Sequence, residues 1–202
     1  MARDGDTDIT DRFDDLLALQ EQRMYYGARE VPGLLPAFEP IRIPEMETSS
    51  SAFALGDPVA QPTGFLELIG GTLTSPVQPI EIIDQSMIDN YGGETTGQPM
   101  LAVSGTNLRY VGPATTDTCT LRYYAKLTSP SGSNSTNWIL TYAPGVYLNG
   151  CLMQAAILTQ DADAAKMYAA LYASEVGGLN ERRNRQLWAA RDLKIRLRVS
   201  TP

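Results

Sequence analysis

Apolar residues recur at helical spacing near both ends of this chain and alternate, or cluster in short blocks, across its middle. Between residues 11 and 26, Phe13, Leu16, Leu17, Leu19 and Met24 read as one apolar stripe, the 3.6-residue period of a helix laid on a core. Thr10 or Asp11 stands where a side-chain cap belongs. Gly27, and then Pro32, Gly33 and Pro36, close the helix. From about 38 to 128 the period shortens. Strand candidates 41–43, 50–55, 65–70, 80–83, 100–104, 107–111 and 119–127 are separated by Gly- and Pro-bearing breaks, Gly70-Gly71 among them. The clearest hairpin turns at Ser104-Gly105. Along 118–125, Cys119, Leu121, Tyr123 and Ala125 fall on one side, with Thr120, Arg122 and Tyr124 on the other. One short helix is expected after residue 84, capped by Asp84, with Met87, Ile88 and Tyr91 sharing a face.

A polar loop, 129–136, leads back to helical spacing. Pro144 suits the first turn of a helix over 145–158. A second helix is expected from Ala162 to about Arg185. Ala162, Ala165, Ala169, Ala170 and Ala173 make it slim enough for close packing, while Met167, Leu171 and Leu179 supply bulk. These elements predict an α+β fold. It comprises a small helical bundle (the N-terminal helix plus two C-terminal helices), an inserted antiparallel β-sandwich or partly open barrel, and an extended basic C-terminal tail. The expected boundaries are a flexible start at 1–10, a bundle of 11–37 with 137–190, a β domain at 38–128, the loop at 129–136 and the tail at 191–202.

Composition narrows the chemistry. With 202 residues, 43% of them hydrophobic and 19% charged, the chain can hold one good core or a compact domain with an insertion. It has no histidine, so the commonest neutral-pH base and transition-metal ligand are both missing. Cys119 and Cys151 read as buried free thiols rather than a disulfide or zinc pair. No apolar run is long enough to span a membrane, and the acidic first fifteen residues do not resemble a signal peptide. There is no phosphate-binding glycine loop with its lysine and no nucleophile elbow. Glu45 and Glu47, two apart on an expected strand, have no catalytic partner in view. An enzyme is therefore not expected, and no catalytic residue, cofactor or metal is assigned. The alternative from another class is a small carbohydrate- or nucleic-acid-binding sandwich, with exposed Tyr123 or Tyr124 stacking on the ligand.

Charge is distributed unevenly. Residues 1–60 hold twelve acids and five arginines, whereas 182–198 hold seven Lys or Arg against Asp192, within a net charge of −7. In one reading the basic end is a solvated helix terminus with a frayed tail. Against that, Lys194, Arg196 and Arg198 alternate with Ile195, Leu197 and Val199. That is strand spacing, suited to pairing with the open sheet edge of a partner. The acidic remainder would repel nucleic acid, so an acidic protein neighbour, or the acidic face of the next copy in an oligomer, fits the tail better. The chain reads as an assembly component first.

The run 137–185 resembles the adaptor, or head–tail connector, proteins of short-tailed and related phages. The resemblance is carried by Asn137, Trp138, Leu140, Pro144, Tyr147, Leu148, Leu152, Ala155, Asp161, Asp163, Tyr168, Tyr172, Leu179, Asn180 and Arg185. RIPEMET, QPTGFLEL, GQPMLAVSGTNLRYVGPA and TLRYYAKLTS follow the family's order through the middle, so the likeness spans roughly 11–190. The proline-rich VPGLLPAF departs from the pattern. The resemblance implies a structural virion protein at the head–tail junction, made in the host cytoplasm. It would form a ring, typically of twelve copies, beneath the portal protein and continue the DNA channel toward tail or nozzle proteins. DNA would pass transiently without specific binding, and no membrane is involved. The tail residues Arg191, Lys194, Ile195, Arg196, Leu197, Arg198 and Val199 would dock on the portal. Trp138, Tyr147, Tyr168, Tyr172, Arg182 and Arg185 are read as core or as ring interface, with both roles open. Asp11, Asp14 and Asp15 belong to a solvated start or face the lumen.

Overall fold

The computed structural model describes residues 11–50, 53–54, 58–90, 97–112 and 118–190. The fold is α+β, and the chain divides at Pro44/Glu45 and Thr128/Ser129 into two compact units. The central unit carries strands β1 (Glu47–Ser49), β2 (Phe53–Ala54), β3 (Val59–Ala60), β4 (Phe65–Thr74), β5 (Val77–Ile82), β6 (Met100–Ser104), β7 (Asn107–Val111) and β8 (Thr118–Ala125). They form one sheet along the path β1-β8-β4-β5-β6-β7-β3, with β2 also paired to β8. The sheet curls into a half-barrel rather than a two-layer sandwich. It is not wholly antiparallel. β5 and β6 run parallel, with Glu81 opposite Met100 and Ile82 opposite Leu101. Helix α1 (Phe13–Tyr26) belongs to the other unit, and the connection between β5 and β6 holds α2 (Gln85–Asn90), as a parallel pair requires a long crossover.

Several expectations are corrected here. Gly70-Gly71 does not end a strand but lies inside β4. Gly71 pairs with Ile80 on one side and Leu121 on the other. A Cβ there would stand 3.2 Å from Ile80 Cδ1 and 3.3 Å from Leu121 Cδ2, so the glycine lets those two side chains close over the strand. Residues 41–43 are not a strand either. Ile41 and Ile43 are fully buried, and the Ile41 N–H donates to Met24 O at 2.9 Å. Glu45 sits in a 3-10 turn, Pro44–Met46, while Glu47 is in β1, so the two do not share a strand. β3, only two residues long, has no sequence pattern to announce it. The core of this unit gathers Leu73, Ile80, Leu101, Leu108, Cys119, Leu121 and Tyr123. Asp84 accepts from the Ser86 N–H at 2.9 Å and anchors α2. Ile88 is buried there while Met87 is half exposed.

The helical unit contains α1, α3 (Trp138–Tyr142), α4 (Pro144–Leu158) and α5 (Ala162–Ala190). The expected stripe on α1 is only partly right. Leu16, Gln20, Met24 and Tyr25 are buried, whereas Phe13 and Leu19 are half exposed. A strict i, i+4 ridge faces α4, and a glutamine lies at its centre. Arg12, at the N-cap of α1, makes no side-chain cap bond; Thr10 lies outside the described residues. Gly27 ends the helix at φ 71°, its N–H donating to Arg23 O at 2.8 Å. A Cβ at that glycine would lie 2.5 Å from Phe38 O. Asn137 caps α3 by accepting from the Leu140 N–H at 2.8 Å. α5 continues past 185 to Ala190 and buries Ala165, Ala169, Tyr172 and Val176, the small residues allowing the close approach to α4.

Candidate functional site

The expected interface residues separate by burial. Tyr147 is buried; its hydroxyl donates to Glu21 Oε1 at 3.0 Å and accepts from Asn137 Nδ2 at 2.9 Å. Ser129 Oγ donates to the other Glu21 oxygen at 2.5 Å. One carboxylate thereby ties α1 to α4 and to the start of the polar loop. Burial pushes the Tyr147 hydroxyl far up, with the nearby Tyr25 and Glu21 charges adding to it and the Asn137 bond opposing. Tyr172 is fully buried, edge-on to Phe38 with centroids 5.1 Å apart. Burial raises its pKa to about 12, the Gln20 side chain and Arg23 charge offsetting part of the rise. These two tyrosines are core.

Trp138, Tyr168, Arg182 and Arg185 keep solvent-exposed surface. The Trp138 ring lies 5.1 Å from Tyr142 and 4.9 Å beneath the Arg182 guanidinium, a cation–π contact beside the 70% exposed Tyr142. Arg185 Nε is 3.9 Å from Glu181 on an exposed helix face, a geometry that contributes little stability. Tyr168 lines an open hollow of about 710 Å³ at the α4–α5 turn, with Leu152, Ala155 and Asp161. Asp11, Asp14 and Asp15 are exposed at the start of α1. The expected docking residues Arg191, Lys194, Ile195, Arg196, Leu197, Arg198 and Val199 lie outside the described residues, as does the start, 1–10.

Two features of the helical unit were not read from the sequence. Asn180, matched only as part of a motif, clasps the chain at Pro40–Arg42, just ahead of the Pro44/Glu45 boundary. Its Oδ1 accepts from the Arg42 N–H at 3.1 Å and its Nδ2 donates to Pro40 O at 3.2 Å. The second is an apolar groove of about 610 Å³ between α1 and α4, lined by Phe13, Leu17, Leu140, Leu148 and Cys151, with Asp14 at its edge. Nothing in the sequence marked it: helical spacing puts Phe13 on the core-facing stripe of α1, and only the structure leaves it and Leu148 exposed.

In the sheet unit the carboxylates serve structural contacts. Glu47 accepts from the Tyr124 hydroxyl at 3.0 Å and lies 3.5 Å from Arg122, and Asp89 pairs with Arg109. Tyr123 and Tyr124 are 7% and 2% exposed, so neither offers a stacking face to a sugar or base, contrary to expectation. Glu47, the partner of the Tyr124 hydroxyl, is also its cross-strand neighbour on β1. Cys119 is fully buried and burial raises its thiol to about 11; Cys151 is half-buried and raised for the same reason. Among the described residues no group of three His, Cys, Asp or Glu is placed to hold a metal ion. No described helix is long and apolar enough to cross a membrane.

Residues 1–195 match the family model described as SU10 adaptor protein. No curated protein matches the chain.

Proposed function

The chain belongs to the SU10 adaptor protein family, and from that premise we propose that it is a structural virion protein of the phage neck, an adaptor ring joining the portal to the tail. The observation that carries this reading is a family match running through both units, 1–195. In this role copies of the chain, twelve to a ring, make heterologous contacts, one face of each helical unit meeting a different face of the next. Trp138, Tyr168, Arg182 and Arg185 retain the exposed surface such contacts need; Tyr147 and Tyr172 shape the unit from within. Residues 191–202 dock on the portal, with Ile195, Leu197 and Val199 on one side of a strand and Lys194, Arg196 and Arg198 on the other. Arg191 and those cations set register against portal carboxylates.

Tail or nozzle proteins attach below the ring, and DNA passes through its lumen without specific binding. Asp11, Asp14 and Asp15, if turned to the lumen, repel the phosphate backbone and keep the duplex moving. The role is structural, with no chemistry at any site and no membrane. It is exercised at the head–tail junction after synthesis in the host cytoplasm. Electron-microscope images of portal particles mixed with the purified chain test it: a continuous collar of added density beneath the portal supports the reading, and bare portals contradict it.

A further inference from the structure

We infer that the apolar groove between α1 and α4 is the resting seat of this chain's own C-terminal segment, residues 191–202. The groove has an apolar floor, and two of its walls, Phe13 and Leu148, are 52% and 60% exposed. Covering them removes a sizeable apolar area from water. Reach permits it. The Arg182 guanidinium lies 4.9 Å from the Trp138 ring, and Leu140, two residues further along α3, lines the groove. From Arg182 to the end of α5 at Ala190 is about 12 Å of helix. The twelve residues that follow span up to about 40 Å when extended. Gly145 lies beside Glu175, so the far end of the groove at Cys151 is roughly 30 Å back along the helices from Ala190, within reach of the last residues of the segment.

The chemistry of segment and groove agrees. Leu193, Ile195, Leu197 and Val199 alternate with Lys194, Arg196 and Arg198, so an extended segment turns one apolar and one cationic side outward. The apolar side meets Phe13 first, and its distal residues meet Leu17 and Leu148. The cationic side meets Asp14 at the edge and the exposed Asp11 and Asp15 beside it, with Arg12 the counter-charge in that turn. A second copy could offer its exposed Met167 and Leu171 instead. That ridge brings Lys166 where the segment brings Arg191, Lys194, Arg196 and Arg198, so the segment is the better complement to an acidic edge.

Taken with the portal reading, and resting on it for this consequence alone, the groove withholds the docking segment until assembly draws it out. The contact itself belongs to the isolated chain. It is tested in the full-length protein, where Cys151 lines the groove and the fully buried Cys119 is an unreactive internal reference. Under mild oxidation Thr201→Cys is expected to give a disulfide to Cys151 within one chain, identified by peptide mass. In a separate full-length variant carrying Leu193→Ser, Ile195→Ser, Leu197→Ser and Val199→Ser, Cys151 alkylation by a maleimide should accelerate at least about tenfold, which corresponds to about 1.4 kcal/mol of groove closure. An unchanged alkylation rate, no disulfide at Cys151, or one joining two chains overturns the inference. No portal is present in either experiment, so failure here leaves the adaptor role standing, and failure of portal binding leaves this contact standing.

Discussion

The carboxamide of Gln20 fills the notch left by Gly150: a Cβ on that glycine would stand 1.9 Å from Gln20 Cδ and 2.2 Å from both Nε2 and Oε1. Gln20 is fully buried, and its Nε2 donates to Val146 O at 3.2 Å. A polar side chain thus sits at the centre of the α1–α4 contact because one residue opposite has no side chain.

Gly150→Ala should therefore destabilise the protein by roughly 1–3 kcal/mol through overpacking. The better helix propensity of alanine, about 1 kcal/mol, works in the opposite direction. The clash prevails because Gln20 is enclosed and cannot swing away without losing its bond to Val146. Urea unfolding measures the difference; a variant as stable as the parent would mean that the notch is slack.

Tyr172 provides a pH signature. Its pKa rises from the ordinary value of 10.0 to about 12, chiefly by burial. Below pH 10 both folded and unfolded chains keep the proton, and the stabilisation is fully present. As pH climbs from about 10 toward 12 the unfolded state releases the proton first, and stability falls. Melting temperatures between pH 8 and 12 should drop more steeply for the parent than for Tyr172→Phe. Parallel curves would contradict this.

Asn180→Ala should cost roughly 1–2 kcal/mol, because it leaves the Arg42 N–H and Pro40 carbonyl without their side-chain partner. The more specific readout is hydrogen exchange. The Arg42 amide should exchange markedly faster, while amides in β6 and β7 keep their protection. Equal exchange at Arg42 in both proteins would remove the clasp from the account.

Reversing Arg191, Lys194, Arg196 and Arg198 to glutamate should weaken portal attachment by more than about tenfold, since like charges in a partly desolvated interface cost several kcal/mol. Reversing Arg12 and Arg29 should matter far less, as exposed charges are screened over about 8–10 Å. Arg23 is no fair control: it lies over Phe38 and donates to Met153 Sδ at 3.4 Å. Equal losses from the two sets would remove the tail from the interface.

The sequence made the element types legible where period and punctuation agreed. Pro144 opens α4, Asp84 anchors α2, and the Ser104-Gly105 turn joins β6 to β7. It misled where a residue serves an unusual neighbour. Gly70-Gly71 looked like a break because the need for space beside Ile80 and Leu121 is set by strands distant in sequence. Gln20 did not stand out in the sequence because its partner Gly150 is 130 positions away. Tyr124 looked exposed by alternation, but it is buried with its hydroxyl bound to Glu47. The candidate site was legible as a list of residues and a family order, not as a surface. Which tyrosines were core followed only from the packing of α1, α4 and α5.

Native mass measurement of the purified chain, alone and mixed with its portal, tests the central claim most directly. The account predicts a complex of portal with a fixed, closed number of adaptor copies, expected to be twelve, with no intermediate stoichiometry accumulating. A chain that stays monomeric and unattached in the presence of portal would contradict it.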